Sequence, residues 1–90
     1  MASLFVIASG DNVATALEEV FPGEAAFTGE AAGTLLVRER IAKGHKVSLR
    51  TIRQGTPVVK HGHPMAVAVR DIAEGEWVHS HNVRSLYDRK

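Results

Sequence analysis

The chain has 90 residues, 44% of them hydrophobic and 23% charged, with a formal net charge of +1 and no cysteine. That is room for one small domain spanning 1–90, which buries only roughly 60–65% of the surface its unfolded form exposes. Disulfides, thiolate chemistry and cysteine-ligated zinc are excluded, which fits a reducing compartment, and the charge gives no global reason to expect nucleic acid. A core this small makes a larger partner chain or a homo-oligomer a live expectation.

The opening "MASLFVIASGDN" carries a short apolar run without a basic n-region. No stretch approaches the ~18 apolar residues of a membrane span, so a cytoplasmic protein without a membrane partner is expected. The first strand is predicted near 3–8 and the second near 13–17. Between them Asp11 and Asn12 have the chemistry of a turn or cap. "ATALEEVF" could instead make a turn or two of helix, since Ala, Leu and Glu are good helix formers. Further strands are expected near 25–28 and 34–38, then near 46–50, 57–60, 65–69 and 77–80. "KHGHPMAVA" reads as a tight turn between two of them, around Gly62 and Pro64. His45 lies in a turn and receives no function. The terminal "SLYDRK" reads as a fraying end or a partner contact.

Charge is unevenly spread. Five acids (Asp11, Glu18, Glu19, Glu24, Glu30) precede Arg38 with no Lys or Arg among them. From Arg38 to Lys60 seven cations face Glu39 alone. The pattern implies a solvated face with complementary contacts between the halves, or a surface for a partner subunit or an anionic small molecule. No aromatic residues interleave with the cations, which argues against a nucleic-acid groove.

An internal repeat organises the chain. Ile/Val-x-x-Gly-x-x-Val/Ala occurs four times, from Val20, Ile41, Ile52 and Ile72. Two copies sit in a longer echo, "VSLRTIRQGTPV" and "VAVRDIAEGEWV", twenty residues apart. Each unit reads as a short strand, an apolar anchor, a glycine turn with positive φ, and a second extended segment. The intervals leave no space for long helices and are too short for the usual solenoid periods. An all-β fold of many short, bent strands follows.

"GEWVHSHNV" (75–83) closes the pattern. In the repeat Val78 takes the inward position of Val58, so alternation puts Trp77, His79 and His81 on the opposite face. Imidazoles at i and i+2 could start a divalent metal site, or present a base beside a hydrogen-bond donor. A third ligand would have to come from His61, His63 or Asp11. Exposed strand-end residues without a role, or a structural contact at a subunit interface, remain alternatives.

Taken in order, Asp-Asn-Val-Ala, Gly-His-Lys-Val-x-Leu, Ile-x-x-Gly-x-x-Val, Lys-x-Gly-x-Pro and His-x-His-Asn cover about residues 10–83. This ordered set resembles the SAF domain of the altronate/galactarate dehydratase family. The resemblance implies a β-clip fold and a part in dehydrating a sugar acid to a 2-keto-3-deoxy acid. In that family the domain is either fused to a much larger lyase chain or encoded separately, and this chain is similar to the free-standing small subunit. Such a subunit would complete the active site of the larger lyase subunit and be inactive alone. A divalent metal, iron or another ion, would be held mainly by that larger subunit, with His79 and His81 as candidate ligands here. His79 and His81 would be catalytic, and Asp11, Asn12 and Asn82 would bind substrate. Two departures put substrate preference in question: "KHGHPMA" has His61 for an aromatic residue and Ala66 for a glycine, and "FTGEAAGTLLV" matches no family motif. A sulfolactate sulfo-lyase small subunit, or a non-catalytic SAF module that binds a ligand or partner, are the competing readings.

Overall fold

The computed structural model describes residues 2–87. Among them are nine strands and no helix. They are β1 (Leu4–Val6), β2 (Val13–Ala16), β3 (Gly23–Gly29), β4 (Gly33–Val37), β5 (Lys46–Ser48), β6 (Pro57–Lys60), β7 (His63–Ala68), β8 (Trp77–Val78) and β9 (Val83–Ser85). The eight expected strands all form, each end within two residues of its expected place. "ATALEEVF" is the end of β2 and a bend, not a helix. One sheet runs β4-β3-β1-β2-β5-β8, and β6-β7-β9 forms another. β1 and β3 are parallel; the other pairs are antiparallel. Among the described residues, no helix is long and apolar enough to cross a membrane.

The four anchors of the repeat pair with one another. Val20 bridges Ile41 and Ile52 bridges Ile72, each through two reciprocal backbone hydrogen bonds of 2.7–2.9 Å. Around the second bridge the exchange has two-fold character. Ser48 N–H donates to Glu76 C=O at 3.0 Å and accepts from Gly75 N–H at 2.8 Å. Twenty residues on, Ala68 N–H donates to Thr56 C=O and accepts from Gly55 N–H at the same two distances. The first bridge is built alike: Ala16 exchanges hydrogen bonds with Gly44 and His45, and Val37 is paired with Gly23. The residue four before one anchor thus meets the glycine three after the other.

Each pair of repeats builds its own core. Val20 and Ile41 lie with Leu4, Val6, Ala14, Ala16, Leu35, Val37 and Val47 in one buried cluster. Ile52 and Ile72 lie with Val13, Val58, Ala66, Ala68 and Val78 in another. Burying one such aliphatic side chain contributes about 1.5–3 kcal/mol, so the anchors are major terms in a domain this small.

β8 runs between the two clusters. Val78 enters the second while Trp77 packs against the first. Val78 and Trp77 thus lie on opposite faces as alternation predicts, and the face opposite Val78 meets the first cluster at Trp77. The start of the tail does not fray: Val83–Ser85 pairs with β7, Leu86 N–H donates to Met65 C=O, and the Tyr87 hydroxyl donates to Pro64 C=O. Residues 88–90 of the predicted fraying end lie outside the described residues.

The turn glycines share a geometry but not a neighbourhood. Gly44, Gly55 and Gly75 have φ of 85°, 86° and 84°, and in each turn the N–H of the following residue donates to the carbonyl three residues earlier. That is a type II turn, whose third position demands positive φ. Gly44 faces open space, whereas a Cβ on Gly75 would collide with the carbonyl oxygen of Leu36. Gly75 C=O accepts from Arg38 N–H at 2.9 Å, which ties the end of β4 to the second repeat pair. Gly44→Ala is therefore expected to cost about 1–2 kcal/mol from φ alone. Gly75→Ala is expected to cost at least about 1 kcal/mol more, since overpacking adds to the same strain. Urea unfolding of both variants checks this, and equal losses would remove the close-approach argument.

Candidate functional site

Four rings gather where β8 ends. Trp77 and His79 stack at 4.8 Å between centroids with planes 11° apart. His81 lies 5.0 Å from Trp77, and His45 lies 5.1 Å from His79 and 5.7 Å from Trp77. His79 and His81 are exposed; Trp77 and His45 are half-buried. The strand stops at Val78, two residues earlier than expected, so His81 reaches Trp77 through a turn and not through strand alternation.

Asn82 makes that turn. It is fully buried, its Oδ1 accepts from His79 N–H at 3.0 Å, and its Nδ2 donates to Trp77 C=O at 2.8 Å. Its own N–H donates to His79 C=O at 3.0 Å. One side chain therefore closes the His79–Asn82 loop from beneath and leaves both imidazoles outside.

His45 reaches the cluster unforeseen. Its Nδ1 accepts the Trp77 Nε1–H at 3.1 Å, so the neutral ring carries its proton on Nε2. The signal lay in the repeat: His45 directly follows the turn glycine and precedes β5, whose Val47 is paired with Trp77. Glu39 also bears on Trp77, its Oε2 accepting the backbone N–H at 2.9 Å. Glu39, Arg40, Ala42, His45 and Trp77 line an open groove of about 400 Å³ beside the cluster.

The other predicted site residues are placed within the frame. Asp11 is buried, with Oδ2 accepting from Ala8 and His61 N–H at 3.1 Å each and Oδ1 from Gly62 N–H at 2.9 Å. His61 and Gly62 have φ of 60° and 73°, a type I′ turn joining β6 to β7, and the carboxylate braces it. Asn12 is buried beside a bulge at Val58/Val59: its Oδ1 accepts from Val59 N–H at 2.8 Å and its Nδ2 donates to Pro57 C=O at 3.0 Å. The side-chain oxygens and amides of Asp11, Asn12 and Asn82 thus bind this chain's own backbone. Asp11, Asn12 and Asn82 are the expected substrate-binding residues, and in this structure their side chains hold loops of the chain itself. Among the described residues, no three His, Cys, Asp or Glu converge as metal ligands, so His79 and His81 stand without His61, His63 or Asp11.

Curled sheets of short strands joined by a fourfold turn motif, with an imidazole-bearing loop at one end, define an all-β domain of the SAF, β-clip class. The chain belongs to the family described as altronate/galactarate dehydratase SAF domain, whose model matches residues 2–86. It is 41% identical over 75 residues to altronate dehydratase of Escherichia coli (strain K12), covering 83% of this chain and 15% of that protein. It is 36% identical over 86 residues to altronate dehydratase of Bacillus subtilis (strain 168), covering 94% of this chain and 17% of that one. It is also similar to (2R)-sulfolactate sulfo-lyase subunit alpha of Chromohalobacter salexigens, at 35% over 49 residues, 54% of this chain and 52% of that subunit. The chain spans about one-sixth of the length of the curated altronate dehydratases it matches.

Asn82→Ala would leave the Trp77 carbonyl and the His79 N–H without their partner. A loss of about 2–4 kcal/mol is expected, with a changed Trp77 emission in the folded state. Denaturant unfolding followed by fluorescence checks it; an unchanged midpoint would show that the loop holds without Asn82.

Lys46 has its pKa lowered, first by burial and then by the nearby Lys60. Below that folded-state value the lysine is charged in both states, and the folded protein carries the full penalty. Above it the unfolded chain binds more protons, so stability rises with pH until the unfolded lysine titrates near about 10.4. Lys46→Met is expected to flatten this alkaline rise. Identical pH dependence in mutant and wild type would count against it.

Proposed function

We propose that this chain is the small component of a sugar-acid hydro-lyase of the altronate type, and that its imidazole face covers the active cleft of a larger lyase subunit. The observation that carries the reading is the His79–Asn82 loop: in a chain of this family, its two histidines are exposed while the asparagine that fixes them is buried. In this reading a base removes the proton α to the substrate carboxylate, hydroxide leaves the neighbouring carbon as water, and the enol tautomerises to a 2-keto-3-deoxy acid. A neutral imidazole of His79 or His81 can accept the first proton, and an imidazolium can protonate the leaving hydroxyl. Stacking on Trp77 fixes the plane of His79, so its nitrogens point along a defined direction. Asp11, Asn12 and Asn82 act from behind, holding the loops that meet the substrate. The residues present do not make a complete metal site, and in this reading the divalent ion belongs to the larger subunit.

One observation favours a second chemistry. The match to a sulfo-lyase subunit alpha covers about half of both chains, so a chain of this kind acting as the subunit of a sulfite-eliminating lyase is the rival reading. Altronate dehydration and sulfite release from sulfolactate, assayed with the candidate large chain in the presence and absence of this one, separate them. The His79→Ala/His81→Ala variant is expected to lower the rate by about a hundredfold or more while the complex still forms. Activity indifferent to this chain would leave a binding module without a catalytic part.

A further inference from the structure

The groove beside the histidines combines four chemistries at one place. Trp77 supplies an apolar ring, Arg40 a guanidinium, Glu39 a carboxylate, and His45 an imidazole whose Nδ1 is already taken by Trp77. With that nitrogen occupied, the neutral ring presents Nε2–H as a donor. Arg40 meets Glu19 through Nε, but the two side chains are 66% and 43% exposed. Such an exposed pair is weak, so a ligand carboxylate can take its place at small cost. Guanidinium has five N–H donors in a fork that suits a carboxylate, and Nε uses one. Glu39 keeps Oε1 beyond the oxygen that accepts from Trp77 N–H.

We propose that this groove is a carboxylate subsite selective for polyhydroxy monocarboxylic acids, with Arg40 binding the carboxylate, Glu39 accepting from hydroxyls, His45 donating, and Trp77 supporting the carbon chain. The substrate class rests on the hydro-lyase reading. Selectivity comes from Glu39, whose negative charge accepts hydroxyl hydrogen bonds and repels a second carboxylate. A six-carbon aldonate carries one carboxylate and fits; an aldarate carries one at each end and is disfavoured. At about 400 Å³ the groove has room for such an acid, and two of its lining rings, Trp77 and His45, also contact His79.

Trp77 is the sole tryptophan, so its emission reports the groove directly. The full chain is titrated with sodium altronate, with the uncharged alditol altritol, and with sodium galactarate. Altronate is expected to change the emission saturably, and the other two to require at least about tenfold more ligand. Arg40→Gln should weaken altronate binding about tenfold, the range for losing a charged hydrogen-bond partner. Glu19→Gln, which releases Arg40, should tighten it a few-fold. Glu39→Gln keeps an acceptor for Trp77 N–H and should bring galactarate to within a few-fold of altronate. The proposal is overturned by a flat emission on the order of tens of millimolar altronate, by altritol binding as well as altronate, or by an Arg40→Gln variant that binds unchanged. A chain silent to altronate yet required for lyase activity sinks the groove and keeps the proposed function. A chain that binds altronate while activity ignores it does the reverse.

Discussion

The reciprocal pairing of four apolar anchors is the interaction on which the rest of the structure depends. Val20 with Ile41 and Ile52 with Ile72 bring together segments about twenty residues apart, and each bridge carries its glycine turns into register with the partner unit. A strand of two or three residues is marginal alone. Here the short strands gain length in effect, because each continues through a turn into a bridge that the other unit completes. The same device places one buried cluster around each pair of anchors, so the small core is two cores with β5, β2 and β8 contributing to the boundary.

Curling so many short strands leaves backbone donors and acceptors unpaired at bulges and turns, and burial makes such groups costly. Asp11, Asn12 and Asn82 answer that constraint at three places: the β6–β7 turn, the Val58/Val59 bulge and the loop after β8. All three are buried and polar, and their hydrogen bonds run to backbone groups 3 to 51 residues away in sequence. Among the described residues, no buried side-chain polar atom lacks a partner. Motif residues of this kind look functional in a sequence for a physical reason, since a small polar side chain that replaces a strand partner tolerates no substitute of another length.

The fold was largely readable because its signals are local. Alternating aliphatic residues and glycine turns marked eight strands, and the spacing of Val20, Ile41, Ile52 and Ile72 marked the anchors without showing that they pair. Pairing is a long-range property, and nothing local in "VFPG" or "IRQG" selects a partner. β9 stayed hidden because Val83–Ser85 is short and lacks alternation, and its pairing with β7 depends on the loop that Asn82 closes. In the ring cluster, the grouping of His79 and His81 with Trp77 was readable from their spacing. His45 was not, since it joins them only through the antiparallel register of Val47 with Trp77. Burial also separated residue types that motif matching grouped together: asparagine and aspartate went under the loops, and histidine stayed on top.

That division bears on what such a surface can do. Imidazoles exposed on a small domain act in a high-dielectric setting, where a proton transfer gains little from neighbouring charges. The same groups become effective when water is excluded and the substrate is held against them. The His79–Asn82 loop is preorganised by Asn82 and by stacking on Trp77, whereas enclosure is missing: the histidines are exposed and the neighbouring groove is open. In the proposed reading, a site with fixed geometry and no enclosure is one half of a catalytic centre, and the missing half is a wall. A larger subunit closing over this face would supply that wall, and it would convert an exposed arrangement of rings into a desolvated one.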